Sequence, residues 1–318
     1  MSRSLATATD PIVEEAANDY LAASGSATGA VLCGFFAAAG AYGGVLLGPV
    51  SILVGGTGRG ARAFDGRLRQ PGQGIKRPRG VKAEDAVPDQ ARIAVPASIP
   101  AAMVAYAYDG GQSLTSILRT GIQRATRAGA EARAGLLRQV RSSGAATFAE
   151  TSFVRSMLRI AGPSQGGLLT PTDFSKISNV DHEAISVAHS GGNLFVTPWE
   201  PEGEDADSEA FGSGAAVIAA DVRGQLAALS YRRLVDGYPL EELELDVPLA
   251  GSPVRRGERR VAPGACIAAP AAIGLLSDEK GAWIEVMATP GSARLDAESA
   301  ARLALRRDPA SKEVQRVG

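Results

Sequence analysis

The sequence predicts an α+β protein built in layers, and three observations predict it. No charged residue occurs between Asp19 and Arg59, so a whole stretch of chain must be covered on every side. Apolar residues then recur at spacings of three and four up to Ile160, the pattern of packed helices. From residue 180 onward short β-rich runs separated by turn residues take over. Helices and strands therefore come in blocks rather than as alternating βαβ units.

The elements follow in chain order. Residues 1–9 are expected to be disordered. Asp10 reads as an N-cap, with Pro11 at the first helical position and Glu14-Glu15 in the first turn, for a helix reaching about Ala23. The uncharged run could by length alone be a membrane span. Its eight glycines and one proline between Gly29 and Gly56 make it a poor single helix, and no Lys/Arg cluster flanks it. It reads instead as a buried helix, Ala27–Ala39, followed by a glycine turn and a strand, Val50–Val54. Strands are expected at Ala61–Asp65 and Arg92–Pro96, separated by a Gly-, Pro- and charge-rich loop over residues 70–90. Helices are expected at Ser98–Tyr108, Ser113–Ala128, Ala130–Ser143 and Phe153–Ile160, with Gly166-Gly167 closing the helical block. Ile185–Val187 and Leu194–Thr197 are strand candidates. Glu200–Glu209 holds six carboxylates in ten residues and reads as a solvated linker, since the regular spacing of a calcium loop is missing. Ala215–Ala220 and Leu226–Tyr231 flank Arg223-Gly224 as a hairpin. Cys266–Ala269 and Trp283–Met287 repeat the strand character, and Asp296–Arg306 reads as a closing helix.

Composition narrows the function. Lys and Arg number 33 against 34 Asp and Glu, for a net charge of −1, which argues against a basic nucleic-acid binder. Two His and two Cys exclude a cysteine-rich zinc site and a disulfide scaffold. Aromatic residues make up 5% while glycine alone contributes 38 residues, so the core must be built from small side chains at close approach. Cys33 and Cys266 read as core thiols in a reducing compartment, the cytoplasm.

Four positions could carry chemistry. Ser213, in Phe211-Gly212-Ser213-Gly214 before the hairpin's first strand, has the layout of an N-terminal nucleophile, whose freed α-amine serves as general base; a plain Gly-Ser-Gly hinge is the structural alternative. Gly291 and Ser292 sit in a Pro-Gly turn whose N–H groups can hold an oxyanion. Arg67, after the strand ending at Asp65, could meet a substrate carboxylate with its guanidinium fork, or be a surface arginine. His182 and His189 assemble no Ser-His-Asp order and no metal-ligand set.

Taken together, these segments resemble the γ-glutamyltransferase family of N-terminal-nucleophile hydrolases. The resemblance runs through Leu21–Val31 (LAASGSATGAV), Gly43–Val54, Phe64–Pro71 (FDGRLRQP), Arg92–Ala107 and Ala215–Tyr231. Gly166–Phe174 (GGLLTPTDF) and Met287–Leu295 (MATPGSARL) extend it. It implies a four-layer αββα sandwich, made as one chain and usually cut in two. Residues 1–212 would be a large-subunit-like region and 213–318 a small-subunit-like region of one domain. It matches Arg67 to the arginine that holds a substrate α-carboxylate, and Gly291 with Ser292 to the paired oxyanion donors. The family's threonine nucleophile falls on Gly214, or on Ser213 if the register moves by one residue. Its further hydroxyl and Asn positions fall on Arg232 and Leu234, and its paired serines on Ala262 and Pro263. Two functions follow. One is an autoprocessed amide hydrolase or acyltransferase acting on a small carboxylated amide. The other is a catalytically inactive relative serving as a binding or structural subunit beside a protein partner. Neither calls for a cofactor, a metal, nucleic acid or a membrane.

Overall fold

The structure is a computed structural model. It describes residues 4–317 except 24, 57, 59, 77–79, 83–84, 111–112, 150–151, 178, 190, 201–210, 268, 293 and 296–301, and at Ser213 only the backbone. The chain opens with β1 (Leu5–Ala8), where disorder was expected: β1 is an edge strand paired antiparallel with the hairpin, Leu5 opposite Ala220. Helix α1 (Pro11–Ala22) starts as expected, the Asp10 carboxylate accepting from Ile12 N at 2.8 Å. Helix α2 (Ala27–Ala41) is capped by Ser26, whose hydroxyl accepts from Gly29 N at 3.0 Å, and is buried from Ala27 to Gly40. Strands β2 (Val50–Gly55), β3 (Arg62–Gly66) and β4 (Leu68–Arg69) follow.

Helices α3 (Ser98–Asp109), α4 (Leu114–Arg127), α5 (Glu131–Ser143), α6 (Ser152–Ala161) and α7 (Pro171–Ser175) form the helical block. Arg92–Pro96 is not a strand: Val95 alone makes an isolated bridge, to Arg69. Among the described residues no α-helix follows Ser175. The strands continue as β5 (Asp181–Glu183), β6 (Ile185–His189), β7 (Gly192–Val196), β8 (Phe211–Ala220), β9 (Leu226–Leu234), β10 (Tyr238–Leu240), β11 (Leu245–Val247), β12 (Cys266–Ile267), β13 (Ala272–Asp278), β14 (Trp283–Thr289), β15 (Leu303–Arg307) and β16 (Val314–Arg316). The expected closing helix is overturned. Residues 296–301 lie outside the described ones, and Leu303–Arg307 pairs with β14 as a strand, its partners in the sheet overriding helical propensity. The acidic segment beyond Glu200 also lies outside the described residues.

Two six-stranded sheets result, ordered β1-β8-β9-β2-β3-β5 and β16-β15-β14-β13-β7-β6. They pack face to face through Leu53, Ala216, Ile218 and Ala228 on one side and Ile273, Leu275, Val286 and Leu305 on the other. Helices α2 and α3 lie on the outer face of the first sheet, so the molecule is an α+β sandwich as expected; among the described residues no helix packs on the second sheet, so the fourth layer of the αββα arrangement is not seen there. The uncharged run supplies its centre. Phe35 and Phe36 are fully buried, each worth roughly 1.5–3 kcal/mol of burial. Helices α2 and α4 touch backbone to backbone, and a Cβ at Gly40 would lie 2.0 Å from Gly121 O. That contact is why this core is written in small residues. No described helix is long and apolar enough to cross a membrane.

Candidate functional site

The face of the first sheet that meets the second changes character along the strands. Leu53, Ala63 and Ala228 are apolar; one pleat further on, the same face carries Ser51, Asp65 and Ser230, all buried. Register places these three in one row, Ser230 opposite Ser51 and Ser51 opposite Asp65. Each polar atom is satisfied. Ser230 Oγ donates to Ala271 O at 2.8 Å, and Trp199 Nε1 donates to Ser51 Oγ at 3.0 Å.

Asp65 organises one end of this row. Its carboxylate accepts from Arg67 through N, Nε and Nη2 at 3.0, 2.9 and 3.0 Å, and from Arg69 Nη1 at 2.9 Å. Burial works against the Asp65 charge, but the bonds from Arg67 and the charge of Arg69 overcome it and hold the carboxyl below the usual range. Arg69 also touches Cys266 Sγ, and that thiol lies 3.5 Å from Asp65 Oδ2. Cys266 is exposed, which corrects its expected place in the core; its strand is only two residues long and pairs at the rim with β4. Cys33 is the buried thiol expected, pushed up to about 12 by burial. The Arg67 guanidinium stacks 4.8 Å over the Trp199 ring, which His182 meets edge-on at 5.7 Å. His182 Nε2 donates to Asn179 O at 2.7 Å. Asp65, Arg67, Arg69, His182 and Cys266 line one open cavity of about 350 Å³. His189 lies in the other sheet, so the two histidines are not brought together.

The other end of the site is the start of β8. Phe211 pairs with Leu234 and Gly214 with Arg232, so Gly212 and Ser213 together oppose Arg233 in a β-bulge. Against it stands the turn Thr289–Ser292. Gly291 adopts φ +78°, and Ser292 N donates to Thr289 O at 3.1 Å to close the turn. A Cβ at Gly214 would lie 2.8 Å from Gly291 N and 3.3 Å from Ala271 Cβ. The fold thus brings the Ser213-Gly214 step to the Gly291 turn, while Arg67 sits elsewhere. Between β8 and β3 lie three strand spacings, about 14 Å. Cys266 pairs beside Arg69 and Ala271 lies against Gly214, so one short segment reaches both ends.

Asp65, Arg69, Trp199, Ser51 and Ser230 were not singled out from sequence. The alternation Asp65-x-Arg67-x-Arg69 was the available signal, since alternate residues of an extended segment share a side. The Gly166–Phe174 segment has a local task. Thr170 and Asp173 form a capping box on α7, and the Asp173 carboxylate accepts from Gly72 N and Gln73 N at 3.0 and 2.8 Å. It fixes the loop that lines the Arg67 cavity.

No family profile and no curated protein matches the chain. Solved structures do. The cephalosporin acylase from Bacillus halodurans superposes with a TM-score of 0.69 at 12% identity, covering 99% of this chain and 96% of that one. LmbA2991HD gives 0.70 at 12% identity, covering 100% and 98%. The Helicobacter pylori γ-glutamyltranspeptidase gives 0.51 at 17% identity, covering 61% and 70%. What they share with this chain is the fold.

Proposed function

From that shared fold we propose that the chain is an amide hydrolase or acyltransferase of the N-terminal-nucleophile kind, acting on a small amide that bears a carboxylate. The observation carrying this reading is the approach of the Ser213-Gly214 step to the Gly291 turn at the polar end of the sandwich. Scission of the Gly212–Ser213 peptide would free the Ser213 amine. That amine takes the hydroxyl proton as Oγ attacks the substrate carbonyl, and the Gly291 N–H, with Ser292 N–H after release from Thr289 O, receives the oxyanion. The amine proton passes to the leaving nitrogen, and water or a second amine resolves the acyl-serine. Arg67, held in place by Asp65, anchors the carboxylate. The backbone of the two ends is about three strand spacings apart, roughly 14 Å, a span that the Arg67 side chain and a small substrate would bridge together. The two unpaired cysteines suit a cytoplasmic setting.

The test is hydrolysis of a panel of γ-glutamyl and related carboxylated amides. Activity is expected, is lost in Ser213→Ala, and shows a raised KM in Arg67→Ala. Activity untouched by Ser213→Ala would remove the nucleophile assignment. A second reading, an inactive binding subunit for a protein partner, has its own supporting observation. Gly214 packs so tightly on Gly291 N that the nucleophile position admits no side chain without movement. An uncut chain inert toward the whole panel would favour it.

A further inference from the structure

Each six-stranded sheet has two edges, and an edge strand offers unpaired N–H and C=O groups to any other strand. Among the described residues three of these edges are guarded. The free side of β1 is taken by α1. Asn18 Nδ2 donates to Ala6 O at 3.0 Å, Ala6 N to Asn18 Oδ1 at 3.0 Å and Ala8 N to Glu14 Oε2 at 3.0 Å. Strand β5 is three residues long and carries Asp181 and Glu183, both paired with Arg62. Strand β16 is also three residues long, and its Arg316 is paired with Glu14. Shortness, charge and cover are how natural sheets blunt an edge.

Strand β6 has none of these devices. Ile185–His189 is five residues long, contains no Lys, Arg, Asp, Glu or Pro, and is exposed at every position. It pairs with β7 in unbroken register, from Ile185 opposite Val196 to His189 opposite Gly192, so no bulge turns it away from a partner. Among the described residues no strand lies on its other side. Ile185 and Val187 are about half exposed, and with His189 they line an open groove of about 970 Å³ on the outward face of the second sheet. A free strand edge specifies its partner by chemistry: another extended strand, with no charge facing it.

We propose that β6 pairs antiparallel with β6 of a second copy of this chain, across a two-fold axis at Val187. The strand suits itself as a partner. The axis sets Val187 opposite Val187 and Ile185 opposite His189, and β-branched residues favour such cross-strand contacts. No like charges meet. The nearest carboxylate along the chain is Glu183, and the axis leaves the Glu183 residues of the two copies eight positions apart, about 27 Å. Glu200 follows the Val196 end of β7, beside Ile185, so the two copies carry it at opposite ends of the ladder. Glu285, with its partners Arg302 and Arg306, stands three strands away, about 14 Å. A two-fold pair uses up both edges and stops at two copies. Five residues a side fall short of the roughly 20–30 of a stable complex, so the dimer forms and parts with concentration. None of this rests on the hydrolase reading.

Sedimentation equilibrium of the full chain over a range of concentrations is the test. A reversible monomer–dimer equilibrium is expected in the wild type. Val187→Lys and Val187→Glu each set like charges opposite one another, and each is expected to weaken the dimer at least about tenfold. Mixed one to one, the two variants are expected to regain it, because lysine then meets glutamate. Unchanged melting curves show that the loss is not unfolding. If either variant fails to fold, Val187→Asn takes its place, and a dimer as strong as that of the wild type then overturns the proposal. A wild type that stays monomeric overturns it as well, as does a dimer unaltered by either charge. Loss in both variants without recovery in the mixture overturns the axis at Val187, and growth beyond two copies overturns the closed pair.

Discussion

The two sheets of this molecule are alike in size and unlike in surroundings. The first is sealed on both faces, by α2 and α3 on one side and by the second sheet on the other. Its central strands are largely apolar runs, such as Val50–Val54 and Ala215–Ala220, and these are legible in the sequence. The second sheet has one buried face, with Leu275, Val286 and Leu305 turned inward. Its other face carries Glu285 with Arg302 and Arg306, and leaves Ile185 and Val187 about half exposed, at 48% and 49%. Burial on two faces leaves long apolar runs with polar residues only where they find partners, as Ser51, Asp65 and Ser230 do, whereas burial on one leaves alternation. Tolerance of substitution should therefore differ sharply between the sheets and fall to its minimum where backbones touch.

The largest effect is expected at the α2–α4 contact. Gly40→Val should remove more than about 4 kcal/mol or prevent folding, because the nearest atom is a backbone carbonyl that cannot step aside. A denaturant titration showing a loss below about 1 kcal/mol would refute the close approach. Next comes Asp65→Asn, at about 3–5 kcal/mol, since it strands the buried Arg69 beside a neutral partner. Its pH dependence has a definite sign. The folded carboxyl titrates below the unfolded one, so Asp65 contributes stability at neutral pH and loses it as pH falls from about 4 downward. Acid should consequently destabilise the wild type more steeply than the Asn variant, and parallel acid melts would contradict the ion-pair assignment.

Smaller effects sharpen the contrast. Leu275→Ala, in the core between the sheets, should cost about 2–4 kcal/mol. On the outward face Val187→Ser should stay within about 0.5 kcal/mol, and a loss near that of Leu275→Ala would mean that this face is covered.

The same contrast explains what could be read from the residues. Asp10, Ser26 and the long apolar spacings placed α1, α2 and the helical block, because local chemistry and burial agree there. Leu303–Arg306 was misread as helix because Ala297, Ala300, Ala301 and Ala304 fall at helical spacing while Leu303 and Leu305 fall at strand spacing, and only pairing with β14 decides. Strand β1 was missed because its order comes from an edge pairing with residues some two hundred positions away. The site was half legible. Arg67, Ser213 and the Gly291 turn carry local signatures. Asp65, Arg69, Trp199 and Cys266 matter through contacts that only register creates, and no local pattern announces a Trp199 ring beneath Arg67.

The hydrolase reading stands or falls on whether the chain opens before Ser213. Intact-mass measurement of the purified protein is expected to give two species, one ending at Gly212 and one beginning at Ser213, and a single uncut species in Ser213→Ala. A single species of full length in the wild type, persisting on incubation, would contradict it.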